Sequence, residues 1–194
     1  MGEYLIKKSE TGDLERIDEL YDKARAIMRG DGNLTQWAAG YPNKDSAMAD
    51  IIRGNSYVML EGEGKGGKFG EVSGGKAAKG EICGTFAFIK GEEPTYRKIY
   101  GGKWLNGDLP YATIHRLAST PESRGIAYSC FDWCFRQLPN LRIDTHRDNS
   151  IMRHVIEKWG FEYRGVILLA NGEERLAYQK IAGEWLVNAG VSEG

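Results

Sequence analysis

Apolar residues recur every three or four positions from Asp13 to Arg29: Leu14, Ile17, Leu20, Tyr21, Ala24, Ile27 and Met28. That spacing predicts a helix with one buried face. Residues 3–8 before it read as a short strand. "NLTQWAAGYPNKD" is a turn-rich connection, and "SAMADIIRGN" predicts a short helix stopped by Gly54-Asn55. "SYVMLE" and "GEICGTFAFIK" set β-branched and aromatic residues between breakers and predict two strands. After a long loop over 91–110, "YATIHRLAS" predicts a strand with Tyr111, Thr113, His115, Leu117 and Ser119 on one face. A helix over 124–138 follows. Its stripe is Ile126, Cys130, Phe131, Cys134, Phe135 and Leu138, and Pro139 ends it.

"LRIDTH" predicts another strand, and Asp148 or Asn149 can cap the helix after it. That helix should bury Ile151, Met152, Val155, Ile156 and Trp159 and stop at Gly160. Asn171-Gly172 predicts a two-residue hairpin between two closing strands. Residues 183–194 read as a loosely held tail. The order β-α-α-β-β-β-α-β-α-β-β implies a mixed α/β sheet in one domain over residues 1–182. Strand–helix–strand units in its second half should pair in parallel, and the hairpins antiparallel.

Composition narrows the function. A chain of 194 residues can bury roughly 70% of its unfolded surface without a metal or disulfide staple. A formal net charge of −1 is no electrostatic footprint for nucleic acid or an anionic membrane. No apolar run reaches the roughly 18 residues of a membrane span, and "MGEYLIKKSE" lacks the apolar stretch of a secretory signal. The three cysteines show no metal-binding spacing. Cys130 and Cys134 share a helical face and read as core thiols, so a reducing cytoplasm is expected and no metal.

Two stretches compete as phosphate cradles. In "GEGKGGKFGEVSGGK", Gly62, Gly64 and Gly67 spell G-x-G-x-x-G, and Gly70, Gly75 and Lys76 come close to a P-loop. A working cradle needs a strand entering and a helix leaving, so that backbone N–H groups and the helix dipole meet the anion. "KFGEVSGGKAAKGE" has no apolar stripe for a helix, and Ala77 stands where the Mg²⁺-binding hydroxyl belongs. Residues 62–80 are therefore read as a flexible glycine-rich hairpin insertion.

"STPESRGIAYS", residues 119–129, meets the test. A strand ends, a tight Pro-containing turn follows, and a helix with a clear stripe starts near Arg124. Free N–H groups of residues 124 to 129, the helix dipole and the Arg124 side chain should converge on one point suited to a pyrophosphate.

Here the chain resembles a known family. Arg124-Gly125-Ile126-Ala127-Tyr128-Ser129 is similar to the Q/R-x-x-G-x-G/A motif of the GNAT superfamily of acyl-CoA-dependent N-acyltransferases, with Ala127 for its glycine and Ser129 for its last small residue. "LASTPESRG" looks like the family's entry to that loop, and "NSIMRHVIEKWGFEYRG" like its second motif. "QWAAGYP", "DLPYATIHRLAS", "LRIDTHRDN" and "RLAYQK" look like a bacterial branch of the superfamily.

The resemblance covers residues 3 to about 181 and implies a splayed sheet flanked by helices, with acyl-CoA in the gap. It implies acetyl-CoA as co-substrate. The Leu117 backbone N–H would meet the thioester carbonyl, and Ser119 and Asn149 the pantetheine arm. Arg124, Gly125, Ile126, Ala127, Tyr128 and Ser129 would hold the pyrophosphate.

Acetyl transfer to an amine also needs a base, because an alkyl ammonium with pKa near ~10.4 is mostly unreactive at neutral pH. His115 is the first choice, one pleat before Leu117 on the same face, and "IHRLAS" resembles the "LHALAV" of the aralkylamine N-acetyltransferases. His146 is the second choice, and His154 reads as surface. The tyrosine that many members place in the second-motif helix is Ile156 here, so Tyr128, Tyr111 and Tyr163 stay open as the thiolate's acid. Trp37, Tyr41, Tyr96, Trp104 and Tyr111 can line an acceptor pocket, with Asp108 or Asp144 to attract a cation. The expected acceptor is a primary amine of a small molecule, amino acid or peptide. The departures at Ala127, Ser129 and Ile156 keep open a non-catalytic acyl-CoA-binding module. A homodimer is expected from base rates alone.

Overall fold

The computed structural model describes residues 4–37, 40–61, 80–105, 109–183 and 185. The glycine-rich stretch, Asp108 and nearly all of the expected tail lie outside them. The elements are β1 (Tyr4–Lys8), α1 (Leu14–Gly30), α2 (Lys44–Ile52), β2 (Ser56–Glu61), β3 (Glu81–Lys90), β4 (Ala112–Ser119), α3 (Ile126–Gln137), β5 (Asn140–Thr145), α4 (Ser150–Trp159), β6 (Glu162–Leu168) and β7 (Glu174–Ile181). This is the predicted order of a mixed α/β fold.

The strands form a seven-stranded, mostly antiparallel open sheet in the order β1-β2-β3-β4-β5-β7-β6. Among the described residues, β4 pairs in parallel with β5 through Ala112–Ile114 against Leu141–Ile143. The expectation of several parallel units in the second half is corrected here. β7 lies between β5 and β6 and pairs antiparallel with both. A short turn joins β6 to β7 and forces them antiparallel, and β7 then takes the place beside β5 that a second parallel strand would need. The turn differs from expectation as well. Leu169 N donates to Glu173 O and Gly172 has φ 85°, so Ala170, Asn171 and Gly172 form a three-residue loop with glycine in the left-handed position.

Contacts divide the described chain into two compact units. The first draws on Met1–Ile27, Trp37–Ala87 and Arg116–Cys130, the second on Met28–Gln36, Phe88–His115 and Phe131–Gly194.

In the first unit, Ile17, Leu20 and Tyr21 of α1 pack with Ala47 of α2, Val58 and Leu60 of β2, and Ala118 of β4. Ile17, Leu20, Val58 and Leu60 each contribute on the order of 1.5–3 kcal/mol by leaving water. Ile27, expected on the stripe, is 39% exposed, because the buried face ends a turn earlier. Asn43 starts α2 by accepting from Ser46 N, while the Ser46 hydroxyl closes the reciprocal bond to Asn43.

In the second unit, Phe131, Trp159 and Phe161 pack edge-on or tilted with centroids 5.3–5.5 Å apart. Asn149 caps α4 by accepting from Met152 N, and left-handed Gly160 ends it. Ile151 was expected in the core and is 49% exposed. It sits in the first turn, rotated off the line through Met152, Ile156 and Trp159. A second cluster joins Tyr96, Ile167 and Ala177, flanked by Ile99 and Trp104. The segment carrying these aromatics is tied to β6 by a two-bond bridge between Tyr100 and Val166. The approach is close enough to require glycine, since a Cβ at Gly102 would stand 1.8 Å from Arg164 O.

Candidate active site

β4 carries the first-choice base. His115 is the last β4 residue in the second unit, just past the three-residue ladder to β5. Its Nδ1 lies 3.7 Å from Asp144 Oδ1, and its Nε2 lies 3.8 Å from Glu93 Oε2. These are ion-pair rather than hydrogen-bond distances. Asp144 is anchored on its own account by the Tyr96 hydroxyl, which donates to Oδ1 at 2.6 Å. Glu93 is anchored by Thr95, whose hydroxyl donates to Oε1 at 3.2 Å. The Tyr96 ring meets His115 edge-on at 5.9 Å.

The electrostatics follow from these contacts. His115 beside it holds the Glu93 carboxyl below its ordinary pKa, against the opposing pull of burial. Burial drives the Tyr96 hydroxyl well above its ordinary pKa, and the charge of Asp144 adds to the effect. Tyr96 therefore serves Asp144 as a donor and not as an acid near neutral pH.

Among the described residues, aromatic and guanidinium groups pack behind this group. The Arg142 guanidinium sits over the Tyr111 ring at 3.7 Å and the Trp104 ring at 4.1 Å. Trp104 stacks on Tyr96 at 5.4 Å and donates through Nε1 to Tyr96 O. The Tyr111 hydroxyl accepts from Glu93 N at 2.9 Å. Of the residues expected to line an acceptor pocket, Tyr96 and Tyr111 are buried and Trp104 is filled against by Arg142. They build the wall that carries Glu93 and Asp144. Trp37 and Tyr41 belong to the first unit, where Trp37 packs edge-on to Tyr21 and Tyr41 is 48% exposed.

His146 follows the end of β5 on the wall of a cleft of about 310 Å³ lined by Thr35, Arg147, Asp148, Glu173, Glu174 and Leu176. Both of its ring nitrogens have partners: Nδ1 accepts from Asp148 N at 3.2 Å, and Nε2 lies 3.3 Å from Thr35 Oγ1. The Asn149 carboxamide caps α4 and donates to Gln36 Oε1 at 3.0 Å. His154 is exposed, as expected.

The expected cofactor loop lies in the first unit and differs from prediction in detail. α3 begins at Ile126 rather than Arg124. Gly125 has φ 79°, so it turns the chain into the helix instead of belonging to it. Ser129 N is not free, because it donates to Gly125 O at 3.0 Å. The N–H groups of the first turn are thus those that begin at Ile126. Arg124 is exposed, and its carbonyl accepts from the Tyr4 hydroxyl at 2.7 Å. The turn before it is braced by Thr120 and Ser123, whose hydroxyls lie 2.9 Å apart, and by Thr120 N donating to Cys83 O. Burial pushes the Cys83 thiol up to about 11, which leaves it inert in the ordinary pH range. On β3, a Cβ at Gly84 would stand 3.2 Å from Ile126 Cγ2. The start of α3 thus rests on the sheet where a side chain is missing.

Two features escaped the sequence. Glu93 lies 22 residues from His115, in a loop with no periodicity to mark it. Arg116 has φ 53° within β4, which breaks the uninterrupted alternation predicted for "YATIHRLAS". Nothing in the local pattern signals left-handed backbone at an arginine.

A histidine-bearing strand, a braced turn and a helix start in this order invite comparison with known proteins. No family model matches the chain, and no curated protein matches it by sequence. Solved structures do. A GNAT-family acetyltransferase from Streptococcus agalactiae is 32% identical, with 92% of this chain and 95% of that one covered at a TM-score of 0.75. The chain belongs to the GNAT family of acetyltransferases. A Listeria monocytogenes GNAT acetyltransferase shares the fold at 18% identity and a TM-score of 0.60, covering 91% and 94% of the two chains. The NatC complex bound to Gag peptide and CoA shares the fold at 12% identity and a TM-score of 0.50, covering 93% of this chain and 99% of that one. The GNAT fold supports acyl transfer in general, and no helix among the described residues of this GNAT chain is long and apolar enough to cross a membrane.

Proposed function

We propose that this GNAT protein is an N-acetyltransferase that moves the acetyl group of acetyl-CoA directly onto a primary amine of a small molecule, amino acid or peptide. The observation that carries the proposal is His115, held on β4 between Asp144 and Glu93, two residues before Leu117. Family membership supports the co-substrate, and the NatC relative, which binds CoA and a peptide, supports the range of acceptors.

In this reading the ammonium form of the acceptor gives a proton to the His115 imidazole. Asp144 and Glu93 flank the ring on its two nitrogen sides. The amine lone pair attacks the thioester carbonyl. The Leu117 N–H donates to the oxygen as it gains charge. The C–S bond then breaks, the nitrogen gives up its second proton to the departing thiolate, and the amide and CoA thiol result. The pyrophosphate rests on the N–H groups at the start of α3 and on Arg124, while Ser119 meets the pantetheine arm. Paired carboxylates beside the base favour a cationic acceptor.

The test combines binding with turnover. Calorimetry with acetyl-CoA should give micromolar binding that vanishes in a folded Arg124→Glu, Ala127→Glu variant. Free-thiol release should then exceed background with at least one of a panel of alkylamines, amino acids and peptides, and His115→Ala should slow it. Binding without amine-dependent release would replace the enzyme by an acyl-CoA-binding module.

A further inference from the structure

Arg116 combines two features that seldom occur together. Among the described residues it is the one strand residue other than glycine with left-handed φ, a conformation in which an L side chain crowds its own backbone. It is also firmly tethered. Its Nε donates to Asp50 Oδ2 at 2.8 Å, its Nη2 lies 2.6 Å from the same oxygen, and its Nη1 donates to the Tyr41 hydroxyl at 3.1 Å. Asp50 is 4% exposed and projects from α2. Burial opposes the Arg116 charge, yet Asp50 and Tyr41 outweigh it and raise the guanidinium's pKa.

Strain at a single residue persists only where its surroundings impose it, and it collects where geometry matters to function. The residue after Arg116 is Leu117. The peptide linking the two carries the N–H assigned above to the thioester oxygen, and its direction is set by the backbone angles of residue 116. We propose that the Arg116–Asp50 ion pair is a positioning device for acetyl transfer. It pins residue 116 in the left-handed conformation and so aims the Leu117 N–H. Arg116 touches no reacting atom; it acts through the backbone. This inference rests on the acetyl-transfer reading and adds to it a pair of residues in α2 and β4.

The experiment compares two double variants that leave no uncompensated buried charge: Arg116→Ala, Asp50→Asn and Arg116→Gly, Asp50→Asn. Both lose the ion pair, but only glycine takes φ near +53° freely. Each is checked by circular dichroism and thermal melting, and kcat and KM are measured for acetyl-CoA and the best amine. Loss of a whole oxyanion donor lowers kcat by about 10²–10³, so misaiming one should cost part of that. The alanine pair should lose about thirtyfold in kcat with the acetyl-CoA KM little changed, and the glycine pair about threefold. Asp50→Asn alone, which keeps shape and Arg116, should fall between wild type and the alanine pair. Equal losses in the two double variants, or no loss in either, would overturn the proposal while leaving the wild-type activity standing. A wild type that releases no thiol with any amine overturns the acetyl-transfer reading and this inference with it.

Discussion

Asp144 Oδ1 lies 3.7 Å from His115 Nδ1, joining the two strands just beyond the point where their parallel ladder ends. Because the same oxygen accepts from Tyr96, the carboxylate cannot rotate freely toward solvent, and the ring is held edge-on to the tyrosine.

That relationship predicts a graded pair of mutants. His115→Ala should lower kcat by about 10²-fold, the usual worth of a positioned base. Asp144→Asn keeps the shape and should lower kcat by less, while the KM for acetyl-CoA changes little in both. Steady-state kinetics with the best amine checks the order; Asp144→Asn costing more than His115→Ala would show the carboxylate acting by another route.

Glu93 should leave a trace in acid stability. Its folded pKa lies below the ordinary carboxylate value, with the His115 contact as the main cause. The ionised form is therefore favoured by the fold. Its contribution is present above the unfolded pKa and fades as pH falls through the lower folded value. Melting temperature plotted against pH should fall more steeply below about pH 4.3 in the wild type than in Glu93→Gln. Parallel curves would remove Glu93 from the His115 site.

Phe131 is fully buried and meets Trp159 and Phe161 at 5.5 and 5.3 Å. Phe131→Ala should destabilise by about 3–5 kcal/mol through lost burial and a cavity. Urea unfolding at neutral pH gives the figure directly, and a loss below about 1 kcal/mol would mean that the aromatic cluster collapses onto the gap.

Gly84 lets β3 and the first residue of α3 approach. Gly84→Val should cost about 1–3 kcal/mol by overpacking and weaken acetyl-CoA binding as the helix start is pushed off the sheet. Calorimetry beside thermal melting separates the two. Weakened stability with unaltered affinity would mean that the helix start does not serve the cofactor.

The sequence made the elements legible because each carries its own periodicity and its own stops. Asn149 capping α4, Gly160 ending it and the stripe of α3 are decided within a dozen residues. The pairing of β7 between β5 and β6 is not local, since a strand's alternation says which face is buried but not which neighbour it takes. At the candidate site the same division holds. His115 stood out as a histidine inside a strand, whereas Glu93 became visible only when a loop 22 residues away folded back. Arg116 was hidden for another reason: its backbone conformation opposes its own intrinsic preference and depends on Asp50, 66 residues earlier.

The bridge between Tyr100 and Val166 has a bearing on how the protein survives in a crowded solution. β6 ends the sheet order, and the outermost strand of an open sheet presents unpaired N–H and C=O groups to any passing chain. Tyr100 occupies two of them on Val166, and the close fit of Gly102 against Arg164 shields the adjoining stretch. The segment that blunts this edge is the one that carries Glu93 and Tyr96 to His115. Its sequence answers to colloidal solubility and to chemistry at once, so a substitution that loosens it should expose a template for self-association as it disturbs the site.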